Sequence, residues 1–323
     1  AIVWLDNRAV QEAQALGQRF GRQTIYHHTG QPDAVPTWPA CKILWMREHE
    51  PEAFARTARF LLLEDYLLYR LTGRWVTEFT LQSSSMMMDI HTHRWWSPML
   101  EAIGLPADHL PDILAPGQIV GPLSAEGARA TGLSCDTVAV TGALDQIAGA
   151  VGSGNIAPGI VSETTGGALA IVATFEAPRF DPQQRVPCHC HISADRYALL
   201  PWAQTAGMAL RWFRDRFFAL ERQVADGAGL DAYDLMTAEA ARVPPGSDGL
   251  VVLPHLEGAA CPEFNPAARG VFFGATLRHT RAYFVRAILE SVAYMLRKNL
   301  EIGLELGLTI NEVRSSGGGA RSP

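Results

Sequence analysis

Asp145 follows a short β-prone run, residues 137–141, and then a glycine, Gly142. An acid at the C-terminal end of a strand is well placed to project into a cleft. Such an acid can orient an attacking hydroxyl and accept its proton, the one acid–base task that phosphoryl transfer demands. Gln146 beside it offers a polar contact for a substrate. The same position suits an acid that caps the following helix. Local sequence leaves both readings open.

Two glycine-rich turns stand elsewhere. Thr165-Gly166-Gly167 lies between two β-prone runs, and Gly317-Gly318-Gly319 lies where a strand hands over to a further element. Glycine has no Cβ, so such turns let a phosphate or nucleoside approach the backbone closely. Either can also be an ordinary turn. Trp4 and Asp6 place an aromatic and an acid at the end of a β-prone run. An aromatic face packs well on the C–H face of a sugar, while a core Trp followed by a helix cap is the plainer alternative. The run Cys188-His189-Cys190-His191 invites a zinc reading. Neighbours in an extended run point to opposite faces, however, and no second ligand pair has the usual spacing, so structural residues are expected there and no metal ligands are assigned. Tyr294 and Lys298 have the Tyr-x-x-x-Lys spacing of short-chain dehydrogenases. The glycines that a dinucleotide loop needs after Gly142 are replaced by Gln146 and Ala148, which argues against that class.

The elements that must position these residues read as α/β. The chain has 323 residues, enough for two domains, with 48% hydrophobic and 19% charged residues, the balance of a chain with a substantial core. Net charge is −6 and no dense Lys/Arg run occurs, so neither nucleic acid nor a membrane surface is expected as partner. No apolar run reaches the length of a membrane span. Five scattered cysteines do not form a secreted disulfide framework, and a reducing compartment, the cytoplasm, is expected. Helices are expected over residues 7–21, 51–71, 205–220 and 281–302, the last capped by Thr280 and burying Phe284, Ile288, Val292, Met295 and Leu296. Residues 104–121 read as loop. Residues 151–159 carry glycine and proline at short intervals and mark a domain boundary. Beyond it, residues 160–164 and 168–173 read as a hairpin, residues 197–202 as a third strand, 249–254 as a buried strand and 312–316 as a last strand.

Taken in order, these pieces resemble the FGGY family of carbohydrate kinases over nearly the whole chain. WLDNRA is similar to the family's Trp-x-Asp-x-Arg segment on the substrate side. WPACKILWMREH resembles its first signature, around Lys42 and Trp45, and EDYLLYRLTGRW the helix that leads to a Leu-Thr-Gly turn. TGALDQIAGAVGSGNIAPG carries the Gly-x-x-Asp-Gln/Asn segment, VSETTGGALA resembles the ATP-contacting hairpin, RGVFFGATLRHTRAYFVRAILE the second signature, and SSGGGARSP the adenosine-contacting turn. The resemblance implies a two-domain, actin-like, ribonuclease-H-like α/β fold of mixed sheets flanked by helices, divided into 1–157 for substrate and 158–323 for ATP. It implies ATP-dependent phosphorylation of a hydroxyl on a small sugar or polyol. Asp145 would be the base, and Trp4, Asp6 and Gln146 would contact substrate. Thr165, Gly166, Gly167, Gly317, Gly318, Gly319 and Ala320 would contact ATP, with Mg²⁺ bridging its phosphates and domain closure excluding water.

The family's Asp-x-Gly-Thr/Ser phosphate loop should precede Ala1, so flanks of a longer protein are expected at both ends. Gly258-Ala259-Ala260-Cys261-Pro262 stands where relatives often carry Gly-Glu-Arg-x-Pro. The alternative is a non-catalytic sugar- or nucleotide-binding relative on the same fold. The sugar is not named by the sequence, and the oligomeric state is open, with a homodimer as one possibility.

Overall fold

Proline and glycine punctuate the first half of the chain, and helices form between them. In the computed structural model, which describes residues 1–4 and 6–321, the helix Val10–Phe20 ends at Gly21, and Arg22–Thr29 ends at the left-handed Gly30. Pro39–His49 and Pro51–Arg56 each begin with proline, whose missing N–H costs nothing in a first turn. The single helix expected over residues 51–71 is two. The second, Leu63–Thr72, starts afresh because the Asp65 carboxylate accepts the Leu62 N–H at 2.8 Å, and the extended link before it ties Phe60 N–H to the His109 carbonyl at 2.9 Å.

The chain divides into two compact units. The first is Ala1–Ala157 with Thr174–Leu199, and the second is Pro158–Ala173 with Leu200–Pro323. In the first unit, residues 104–121 are not a plain loop. Asp112–Leu114 pairs in parallel with Val76–Glu78, and Ile119–Pro122 pairs antiparallel with Val138–Val140. These strands have three or four residues each. Pairing with distant partners, rather than local propensity, makes them strands, which is why their flanking prolines and glycines read as loop. Leu68, Val76 and Val120 form the buried core beneath them, with Leu114 and Ala139 packed alongside.

The second unit is organised by a sheet. Ile160–Thr165 and Leu169–Phe175 form the expected hairpin, and Glu312–Ser316 lies parallel to the first of these strands, Glu312 opposite Ile160 and Ser316 opposite Thr164. The expected third strand is split at Pro201, which has no N–H for a ladder. Trp202–Ala203 pairs with Ala170 and Leu169, whereas Tyr197–Leu199 pairs with Cys188–Cys190 in the first unit.

Four helices cover a core of Phe213, Phe218, Met236, Leu250, Val252, Val285 and Ile288. The helix expected over 205–220 breaks at Phe218, whose ring turns into that core, and a second helix, Ala219–Ala228, follows. Val251–Leu253 is half-buried rather than buried, with only Val252 turned inward. The long helix Arg281–Glu305 buries Val285, Ala287, Ile288, Ser291, Asn299 and Ile302. Of the expected face only Ile288 is fully buried, and Phe284, Val292, Met295 and Leu296 are half-buried. Ser291 and Asn299 can turn inward because each donates to a carbonyl of its own helix, Ile288 O and Met295 O.

Candidate functional site

In the first unit, Asp145 stands at the first position of the helix Asp145–Gly152, with Leu144 in the capping position. Asp145 is therefore not the cap. Its Oδ1 accepts the N–H of Gln146 at 2.9 Å, a contact within its own turn that an acid at a helix start favours. The carboxylate is otherwise exposed and has no further hydrogen bond or ion pair among the described residues. Gln146 is half-buried, and its side chain carries no hydrogen bond among the described residues.

The backbone that leads into Asp145 is held closely. Thr141 Oγ1 donates to the Ala115 carbonyl at 2.6 Å and accepts from the Gln118 N–H at 2.9 Å. Gly142 N–H donates to Glu64 Oε1 at 2.8 Å, and Leu144 N–H donates to Thr80 Oγ1 at 2.8 Å. Thr80 in turn donates to Glu78 Oε1 at 2.8 Å, and the Glu78 carboxylate accepts the N–H groups of Thr80 and Leu81. Glu78 is fully buried, and burial pushes its carboxyl up to about 7 despite those donors. Asp65 is likewise buried and is pushed up to about 7. Sequence reading missed Glu64, Glu78 and Thr80. Thr80 and Glu64 lie 64 and 78 residues from the amides they meet, and no spacing signals such a contact.

Trp4 and Asp6 lie on a turn. The strand expected to end there is absent among the described residues, because Asp6 N–H closes back on the Val3 carbonyl at 3.1 Å. Lys42 fixes this turn, donating from Nζ to the carbonyls of Val3 at 2.7 Å and Trp4 at 3.1 Å. Burial lowers the pKa of this lysine. Arg8 grips Asp6 in a fork, Nε to Oδ1 at 3.0 Å and Nη2 to Oδ2 at 2.7 Å, which holds the Asp6 carboxyl down at about 2. The Arg8 guanidinium also sits 4.7 Å over the ring of Trp45. Asp6 is thus a fixed anion and not a helix cap, since the helix begins at Val10 after Ala9. Trp4 is 56% exposed, so it is not a core residue, and its indole face is free to stack on a ligand. No hydrogen bond or ion pair joins residues 1–8 to Asp145 among the described residues.

In the second unit, the structure brings together the two glycine turns, which lie about 150 residues apart in sequence. Parallel pairing of Glu312–Ser316 with Ile160–Thr165 sets Gly317 directly beside the hairpin tip. Thr164 Oγ1 and Ser316 Oγ meet at 2.8 Å, and Thr165 Oγ1 donates to Glu163 Oε2 at 2.6 Å. Gly317 has φ +85, and a Cβ there would fall 2.7 Å from the Thr165 carbonyl oxygen, so the position requires glycine. A Cβ at Gly166 or Gly318 would meet nothing within 4 Å, leaving space beside each Cα for an approaching group. Helix Gly207–Phe217 abuts the same tip, with Gly207 and Met208 N–H donating to the carbonyls of Gly166 and Gly167 at 3.0 Å.

Two open glycine backbones at adjoining turns fit a phosphate chain or a nucleoside. No group of three or more His, Cys, Asp or Glu is placed to hold a metal ion among the described residues. Mg²⁺ that accompanies a nucleotide is bound largely by phosphate oxygens and water, so this is no obstacle to a nucleotide. Ala259, Ala260 and Cys261 are buried, and Cys261 N–H is bonded to the Trp202 carbonyl at 3.0 Å, so this stretch packs rather than presenting charge. No helix among the described residues is long and apolar enough to cross a membrane.

Comparison with known proteins matches the chain in two parts. Residues 1–152 match the FGGY family of carbohydrate kinases, N-terminal domain, and residues 171–323 match the C-terminal domain of the same family. A gluconokinase of Bacillus subtilis is 31% identical and is matched by 99% of this chain over 62% of its own length. The xylulose kinase of Escherichia coli is 32% identical, matched by 100% of this chain over 63% of its length. A ligand-bound xylulose kinase from Lactobacillus acidophilus superposes with a TM-score of 0.87 at 26% identity, covering 99% of this chain and 63% of that one. The chain therefore spans a little over three fifths of the length of these relatives.

Proposed function

Because the chain belongs to the FGGY family of carbohydrate kinases and shares the actin-like, ribonuclease-H-like α/β fold of its solved neighbours, we propose that this protein transfers a phosphoryl group from ATP to a hydroxyl of a small sugar, aldonate or polyol, with Asp145 as general base. The observation that carries the proposal is the contrast at Asp145: an exposed carboxylate bonded, among the described residues, only to the next amide of its own turn, on a backbone pinned at Thr141, Gly142 and Leu144. A base has to be fixed in position yet free to take a proton, and this arrangement supplies both.

The acceptor lies against the first unit. Trp4 offers its exposed indole face to the sugar ring, the Asp6–Arg8 pair gives polar contacts of fixed charge, and Gln146 hydrogen-bonds a hydroxyl beside the reacting one. Asp145 orients the reacting hydroxyl and takes its proton as the oxygen attacks the γ-phosphorus. ATP lies on the second unit, its phosphates against Thr165, Gly166 and Gly167 and its nucleoside against Gly317, Gly318, Gly319 and Ala320. Mg²⁺ bound with ATP would supply neutralisation of the charge that builds up on the phosphates. The reaction belongs in the cytoplasm, where ATP is plentiful and the five unpaired thiols stay reduced.

Asp145→Ala in the full-length protein tests the proposal. Turnover, followed as ADP release against a panel of ketoses, aldonates and polyols, should be abolished while ATP binding measured by calorimetry persists. Turnover near that of the unaltered protein would remove Asp145 from the role of base. An unaltered protein that binds ATP but phosphorylates no member of the panel would favour a non-catalytic relative.

A further inference from the structure

We propose that Thr80, clamped by the buried carboxylate of Glu78, is a positioning residue for Asp145: it holds the Leu144 amide from which the Asp145 helix departs, and so sets where that carboxylate stands against the acceptor hydroxyl. This rests on the reading of Asp145 as base.

A threonine hydroxyl has a single proton and two lone pairs. Glu78 Oε1 also receives the Leu81 N–H, so this oxygen faces Thr80 as an acceptor and takes that proton at 2.8 Å. The lone pairs of Thr80 Oγ1 are thereby left for a donor, and the donor is the Leu144 N–H at 2.8 Å. Glu78 cannot swing away, because the N–H groups of Thr80 and Leu81 hold its carboxylate at the start of the short helix Phe79–Gln82. Thr80 and Glu78 are both fully buried, so water does not compete for these bonds.

Leu144 has no side chain able to cap the helix that it begins. Its φ of −46 and ψ of 133 therefore depend on what holds its backbone. Glu64 on Gly142 is the second tether, and a Cβ on Gly142 would come 3.1 Å from that carboxylate. Asp145 is the first residue past these tethers, and its exposed side chain is bonded, among the described residues, only to the Gln146 N–H of its own turn. The Thr80–Glu78 tether is thus buried beneath the reactive part. A displacement of about 1 Å at a reacting group costs on the order of 100-fold in rate, so the loss of one tether should register in turnover.

The test uses Thr80→Val and Thr80→Ser in the full-length protein, with Asp145→Ala as reference. Valine keeps the shape and removes the acceptor, whereas serine keeps the acceptor. Thr80→Val should lower kcat by roughly 10- to 100-fold, leaving the KM for ATP and calorimetric ATP affinity unchanged, and Thr80→Ser should restore most of the loss. Damage of a merely structural kind would move ATP affinity, sugar KM and kcat together, and serine would do no better than valine; that pattern would overturn the proposal. So would a Thr80→Val kcat within about 2-fold of the unaltered protein while Asp145→Ala is inactive, a result that spares the base and removes only its positioner. An active Asp145→Ala would remove both. If Thr80→Val does not fold, Glu78→Gln takes its place. Its amide can donate to Thr80 and reverse the hydroxyl, so the same fall in kcat alone is expected, and an unchanged kcat would overturn the proposal.

Discussion

Gly317→Ala is the perturbation whose cost can be worked most directly from the geometry. The residue has φ +85, a conformation that costs an L-residue about 1–2 kcal/mol. Its new Cβ would fall 2.7 Å from the Thr165 carbonyl oxygen and 3.3 Å from the Thr164 side chain. That oxygen is backbone at the end of a paired strand and cannot rotate away as a flexible side chain would, so overpacking adds about 1–3 kcal/mol. The sum is about 2–5 kcal/mol, and at about 2–4 °C per kcal/mol for a unit of this size the melting transition should fall by roughly 4–20 °C. Because the displaced atoms belong to the hairpin tip, ATP affinity should fall as well.

Gly318→Ala is the matched control. It has no positive φ and would meet nothing within 4 Å, so its melting temperature should stay within about 1–2 °C of the unaltered protein, as for surface substitutions. If nucleotide approaches this backbone, the added methyl should still weaken ATP binding. Differential scanning calorimetry with and without ATP, paired with isothermal titration, reads both effects. A Gly317→Ala protein with unaltered melting temperature and ATP affinity would refute the strain argument. Loss of stability in Gly317→Ala with ATP affinity unaltered in both variants would refute the placement of ATP at this turn.

Two further outcomes are expected. Asp65 carries a carboxyl that burial raises from the ordinary range near 4 to about 7, so the folded protein keeps a proton there that the unfolded chain has already released. Stability from this group is fully present below about pH 4 and is lost as pH rises towards 7. Asp65→Asn should remove that decline, raising the urea midpoint at pH 8 relative to the unaltered protein and changing it little at pH 4; equal shifts at both pH values would contradict the linkage. Lys42→Met removes the ammonium that holds the Val3 and Trp4 carbonyls, bonds worth about 1.5–3 kcal/mol when charge-assisted. The KM for sugar should rise about 10-fold or more with the KM for ATP unchanged, and an unaltered sugar KM in steady-state assays would detach this turn from substrate binding.

Much of the candidate site was legible in the sequence because its chemistry is local. Asp145 and Gln146 after a strand and a glycine, the two glycine turns, and the hairpin between residues 160 and 173 are all set by residue type and short-range period, and a strand–turn–strand pattern survives whatever packs around it. The ends of the last strand were also recoverable, as a short β-prone run closed by three glycines. Long-range partnership was not recoverable. The strands at 112–114 and 119–122 exist because Val76–Glu78 and Val138–Val140 lie beside them, and residues 51–71 break into two helices because one carboxylate, Asp65, turns back on an amide.

By itself the sequence therefore marked the residue types that the proposed roles require: an acid for the proton, glycines for the phosphates, and an aromatic for the sugar face. The tertiary structure decided which of them are held, and by what. Only folding sets Gly317 against Thr165, and only folding brings Thr80 beneath Leu144 and Glu64 beneath Gly142. The physical reason is that backbone amides carry no sequence signature. Any residue has one, and which buried side chain receives it is settled by packing across scores of intervening residues.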